Sequence, residues 1–103
     1  MDFKETYLQR AWSDSIDGVT IEDVRIAINE VQKMDDEHGA FWVGIVDEDE
    51  FILEVSKDLR LIAILDRESE EEIHFKAKDW AEVEGLYNLF LNEKFDELKA
   101  KMK

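Results

Sequence analysis

Gly39-Ala40-Phe41-Trp42-Val43-Gly44-Ile45-Val46 is the stretch on which the fold turns. Upstream of it, apolar residues recur at three- and four-residue steps: Ile21, Val24, Ile28, Val31 and Met34 make one face of a helix. Across it that period stops, and aromatic and β-branched residues follow one another as they do in a strand. An extended chain from Ala40 to Val46 puts Phe41, Val43 and Ile45 on one side and Trp42 and Val46 on the other. The first set is a core face. The second, joined by some of Ile52, Ile62 and Ile64, makes the opposite face apolar too, and that calls for a second covering layer or an interface.

Working outward, Asp47, Glu48, Asp49 and Glu50 form a polar connection, and Phe51 to Ser56 is a second strand with Phe51, Leu53 and Val55 on one face. Lys57 and Asp58 suit a tight turn. Leu59 to Leu65 is nearly all apolar, as in a central strand covered on both sides or touching a partner. Arg67 to Glu70 turns again, and Ile73, Phe75 and Ala77 alternate with Glu72, His74 and Lys76 in a fourth strand. Before the meander, Thr20 caps the helix, with Glu22 and Asp23 in its first turn. Asp35, Asp36, Glu37 and His38 end it, and Gly39 fits the left-handed position after a helix. Thr6 to Trp12 fits either a short strand or a helical turn, and Trp12 to Gly18 reads as a loop. Asp79 caps a last helix with Trp80, Val83, Tyr87, Phe90 and Leu91 on its apolar face, continued by Phe95, Leu98 and Met102 after a break near Asn92. The expected architecture is α+β: a helix, a four-stranded antiparallel meander with room for an added N-terminal strand, and a C-terminal helix, in one domain over residues 1–103.

Composition narrows the function. The chain has 27 Asp and Glu against 13 Lys and Arg, for a net charge of −14. That field repels phosphate, so non-specific attraction to nucleic acid or an anionic membrane is excluded, while a cationic partner is allowed. There is no cysteine, hence no disulfide, thiol nucleophile or zinc–thiolate site. Met1 to Arg10 mixes charge with Phe3, Tyr7 and Leu8, without a signal-peptide apolar block, and the longest apolar run, Leu61 to Leu65, is far short of a membrane span. These features point to a soluble, cytoplasmic protein.

Motifs for chemistry are lacking. Glu71 and His74 have the spacing of a helical metal pair, but on a strand they face opposite sides. His38 beside Asp35, Asp36 and Glu37 reads as a solvated helix end. Asp47–Glu50 is too short for a calcium loop and lacks its glycine. No nucleophile elbow or phosphate loop is present. The expectation is a protein without catalytic, cofactor or metal residues, and not an enzyme.

The acid surplus falls at connections. In a meander, the connection at residues 47–50 and the one at residues 67–70 leave the same end of the sheet, while the acidic helix end lies at the other, near Lys57 and Asp58. The expected binding residues are therefore Asp47, Glu48, Asp49, Glu50, Glu68, Glu70, Glu71 and Glu72, an acidic patch that steers a basic partner, with Trp42 as an apolar anchor. The opposing expectation is a solvated acidic surface, with Trp42 covered by a helix or the N-terminal segment.

The helix-first layout, Gly39-Ala40-Phe41-Trp42-Val43-Gly44-Ile45 leading a meander, and Trp80 opening a C-terminal helix resemble the small acidic immunity proteins of bacterial polymorphic toxin systems, including contact-dependent inhibition and type VI secretion immunity proteins. The resemblance spans roughly residues 20–98 and carries over no residue by motif. It implies neutralisation of a cognate toxin domain in the cytoplasm, a nuclease or other enzyme with a basic cleft, by plugging its active site or holding an adjacent surface. Partners are then a protein toxin with a basic surface, and neither nucleic acid nor membrane; the oligomeric state stays open. Two other readings stand beside it: an acidic nucleic-acid mimic that inhibits a DNA-binding protein, and a non-catalytic adaptor that homodimerises through Leu59–Leu65 or the aromatic face.

Overall fold

The structure, a computed structural model, describes residues 5–12, 14–35, 39–46, 50–65 and 72–102. Among them the order is β1 (Glu5–Arg10), β2 (Ile16–Asp17), α1 (Ile21–Val31), β3 (Ala40–Val46), β4 (Glu50–Ser56), β5 (Arg60–Ile64), β6 (Glu72–Lys76), α2 (Trp80–Leu91) and α3 (Phe95–Met102). The class is α+β, and all strand pairs are antiparallel in the order β2-β1-β3-β4-β5-β6. The expected meander is β3 to β6. The strand count is corrected from four to six: the stretch from Thr6 is the strand β1 as far as Arg10, laid along the outer edge of β3, and the expected loop at residues 12–18 contains the two-residue strand β2.

All three helices contribute to one core against one face of this sheet. Phe41, Val43 and Ile45 of β3, Leu53 and Val55 of β4 and Leu8 of β1 are fully buried with Val24 and Val31 of α1, Val83, Tyr87 and Phe90 of α2 and Leu98 of α3. Burial of side chains this size stabilises by about 1.5–3 kcal/mol each before conformational entropy is subtracted. Aromatic pairs fix the layers: Phe41 stacks on Tyr87 with centroids 5.4 Å apart, and Phe51 of β4 stacks on Phe95 of α3 at 4.5 Å. Trp12 meets the edge of Phe41 at 6.4 Å, so the end of the expected loop is packed against the core.

The helix ends have identifiable causes. The Asp23 carboxylate accepts from the Thr20 N–H at 2.9 Å, closing the start of α1. Asp79 accepts from the Glu82 N–H at 2.8 Å at the start of α2. α1 stops at Val31 rather than Met34, and Lys33 and Met34 turn by bonds to the carbonyls of Glu30 and Val31. Gly39 does not take the expected left-handed conformation; Gly18 is the described glycine with positive φ. Gly39 is required for space instead, since a Cβ there would lie 2.7 Å from the Asp35 carbonyl and 2.8 Å from the Lys57 Cβ. The expected break near Asn92 is a Schellman ending: Glu93 has φ 59°, its N–H donates to Phe90, and the Lys94 N–H donates to Leu89.

Candidate protein-binding face

The period of a strand decides which side chains the helices leave uncovered. With Phe41, Val43 and Ile45 in the core, Trp42, Gly44 and Val46 must face away, and the strand registers extend that face across the sheet. One row runs Asp17, Tyr7, Gly44, Ile52, Ile64, Glu72. The next runs Gln9, Trp42, Glu54, Ile62, His74. A third holds Glu5, Val46 and Glu50. Trp42, Val46, Ile52, Ile62 and Ile64 therefore share one side, and each is partly exposed.

Acid frames this apolar centre. Glu5, Asp17, Glu50 and Glu72 are exposed at its margins, and Glu54 lies inside it, directly between Trp42 and Ile62 in the register. Among the described residues the lysine and arginine side chains on this side are Arg60 and Lys76, opposite each other at one corner, where Arg60 is tied to the Asp58 carboxylate at 3.2 Å. Tyr7 is pinned here too: its hydroxyl donates to the Glu50 carboxylate at 3.1 Å. Burial, then the Glu50 charge and that hydrogen bond, raise the pKa of Tyr7, so it remains a protonated donor at neutral pH.

The expected site residues divide clearly. Trp42, Glu50 and Glu72 lie on this one side, with Glu50 and Glu72 at the same end of the sheet, because Val46–Glu50 and Ile64–Glu72 are the last register pairs before their connections. Asp47, Glu48, Asp49, Glu68, Glu70 and Glu71 lie outside the described residues. At the opposite end Lys57 donates its N–H to the Gly39 carbonyl at 2.6 Å and its ammonium to the Met34 carbonyl, so the chain leaving α1 is fastened near the Lys57–Asp58 turn, as the topology requires. Sequence reasoning missed Tyr7, Gln9 and Glu54. Glu54 was recoverable from the alternation that buries Leu53 and Val55; the other two depend on placing β1.

His74 is exposed on the strand, with its Nε2 3.5 Å from the Glu72 carboxylate. Among the described residues no three or more His, Asp or Glu side chains gather where they could hold a metal. A groove of about 610 Å³ lies between α2, Lys101 of α3 and Phe75 of β6, and is walled by Lys78, Asp79 and Glu82 beside Gly85 and Leu89. No described helix is long and apolar enough to cross a membrane.

Among the described residues this side is a partly apolar surface that carries the Trp42 indole, with carboxylates at its margins. No family model matches the chain, and comparison with curated proteins and with solved structures finds no similar protein.

Proposed function

We propose that this chain is a non-catalytic binding protein that engages a basic protein surface across the helix-free face of its sheet, acting in the cytoplasm as an immunity protein that neutralises a toxin domain. The observation that carries the binding reading is the placement of Trp42 among Ile52, Ile62 and Ile64, with Glu50, Glu54 and Glu72 on the same side. A buried aromatic anchor supplies most of the energy of a typical protein interface, and surrounding charge sets encounter rate and partner choice. A toxin domain whose cleft attracts phosphate presents the complementary charge, and a carboxylate-rimmed face competes for that cleft. The toxin-inhibitor part of the proposal rests on the layout resemblance and on this charge.

The test is affinity capture from a lysate of the source cells, with washes at low and high salt and the retained protein identified. Wild type is compared with Trp42→Ala and with Glu54→Lys. A retained protein with a toxin-like C-terminal domain, released by salt and lost from both variants, supports the proposal. Retention of the same partner by both variants overturns the role of this face, and a retained DNA-binding protein in place of a toxin overturns the immunity reading.

A further inference from the structure

The sheet ends at β6. Among the described residues β5 pairs with its inner side and no strand pairs with its outer side, whereas β5 itself is bonded on both edges. A second copy therefore has no access to the backbone edges of β5, but it has access to the outer edge of β6. The Ala77 N–H donates to the Leu59 carbonyl at 2.9 Å, and this sets the alternation of the ladder. With Leu61 opposite Phe75 and Ala63 opposite Ile73, those pairs exchange the inward bonds. The backbone N–H and C=O groups of Glu72, His74 and Lys76 then point outward, and the side chains of these three residues are exposed.

Charges on an edge strand usually prevent indiscriminate pairing. Here their order is complementary to itself. Glu72-Ile73-His74-Phe75-Lys76, laid antiparallel on a second copy about an axis through His74, sets Glu72 opposite the second copy's Lys76 and Lys76 opposite its Glu72. Ile73 falls opposite the second copy's Phe75 on the helix side, where Phe75 is only half-buried. All three outward backbone groups find partners in that register, giving about six inter-chain hydrogen bonds. A slip of two residues either way breaks both charge pairs.

We infer that the chain forms a two-fold dimer by antiparallel pairing of β6 with β6, in the register that centres on His74. The two sheets become one, with six strands from each copy, and the two Trp42 faces lie side by side on it. The inference does not depend on what that face binds. Two chains of charge −14 repel each other, so the dimer tightens as salt rises from low values and screening shortens to about 8 Å at 0.15 M. Capture of a basic partner has the opposite salt dependence, which keeps the two proposals separable.

Sedimentation equilibrium of the full chain at about 0.15 M salt, from micromolar to millimolar concentration, tests this. Wild type should approach twice the 12.2 kDa chain mass. Glu72→Lys and Lys76→Glu each create two like-charge pairs and should weaken association by about tenfold or more, while the double exchange restores it. Circular dichroism confirms that each variant is folded, as these side chains are exposed. Trp42→Ala should leave the dimer intact. A wild-type chain that stays monomeric at the highest concentration overturns the inference. A dimer indifferent to the single reversals, a double exchange that fails to restore association, or a dimer lost in Trp42→Ala would do the same.

Discussion

The ring of Tyr7 lies directly over Gly44, one strand away and opposite it in the register, and occupies the space that any side chain at 44 would need. A Cβ at 44 would come within 2.3 Å of the ring carbons. An aromatic neighbour covering a glycine repairs the packing that the glycine leaves undone in a strand. The same ring delivers its hydroxyl to Glu50, so the contact fixes one edge of the acidic frame around Trp42.

Gly44→Ala should therefore destabilise by about 1–3 kcal/mol by displacing the ring, even though alanine suits a strand backbone better than glycine. In a Tyr7→Ala background the same change should cost less than about 1 kcal/mol, since the obstructing ring is gone. Urea midpoints of the four proteins in this cycle measure the coupling. Equal costs in the two backgrounds would show that the ring is not what excludes a side chain.

At the other end of the chain, Glu93 holds a left-handed conformation that an L-residue adopts at a cost of about 1–2 kcal/mol. The Schellman bonds from Glu93 and Lys94 back to α2 require that conformation. Glu93→Gly should stabilise by about 0.5–1 kcal/mol, raising Tm by about 2–8 °C in a chain of this size. A lowered Tm would mean that interactions of the Glu93 side chain outweigh the backbone strain.

The same residues show why parts of the fold could be read in advance and others could not. The meander was legible because β3 and β4 each keep strict alternation against a single core, and that alternation also put Trp42 on the uncovered side. Only Leu8 of β1 is fully buried, so its local pattern carried too few apolar positions to separate strand from helix. Its placement follows from long-range pairing with β3, and with it went Tyr7, the partner that explains Gly44. Gly39 was misread for a related reason: besides the nearby Asp35 carbonyl, its requirement is the approach of Lys57, a residue eighteen positions on. The expected acidic patch was drawn from connections, and of its members Glu50 and Glu72 are the ones placed by strands.

Tyr87 links the core to alkaline stability. Its hydroxyl donates to the Leu53 carbonyl at 2.8 Å in the fully buried layer, and burial, followed by the Glu54 charge, raises its pKa well above the usual 10.0. Below pH 10 both folded and unfolded chains keep the proton, and the contribution of this group to stability is intact. Above pH 10 the unfolded chain releases it while the folded chain does not, so stability falls as pH rises toward the folded value. Tyr87→Phe should cost about 1–2 kcal/mol at neutral pH through the lost bond, and the gap to wild type should narrow above pH 10. Urea midpoints taken at intervals through pH 10 read this directly; a gap that stays constant would contradict it.

Phe41 and Trp42 are neighbours on opposite faces, and that separates folding from binding. Phe41 is fully buried against Tyr87 and Trp12, so Phe41→Ala should cost about 3–5 kcal/mol. Trp42 is partly exposed, with Gln9 and Glu54 beside it in the register, and Trp42→Ala should cost only about 1 kcal/mol of stability. Its effect on affinity for a captured basic partner should be about 30-fold or more, as expected for an aromatic anchor worth about 2 kcal/mol. Glu54→Lys puts a charge like the partner's at the centre of the face, so it should slow association, most at low salt, and also speed dissociation. Chemical unfolding and surface-binding kinetics on the same three variants test both halves. A Trp42→Ala protein as unstable as Phe41→Ala would place the indole in a covered layer, and the helix-free face would lose its claim to be an interface.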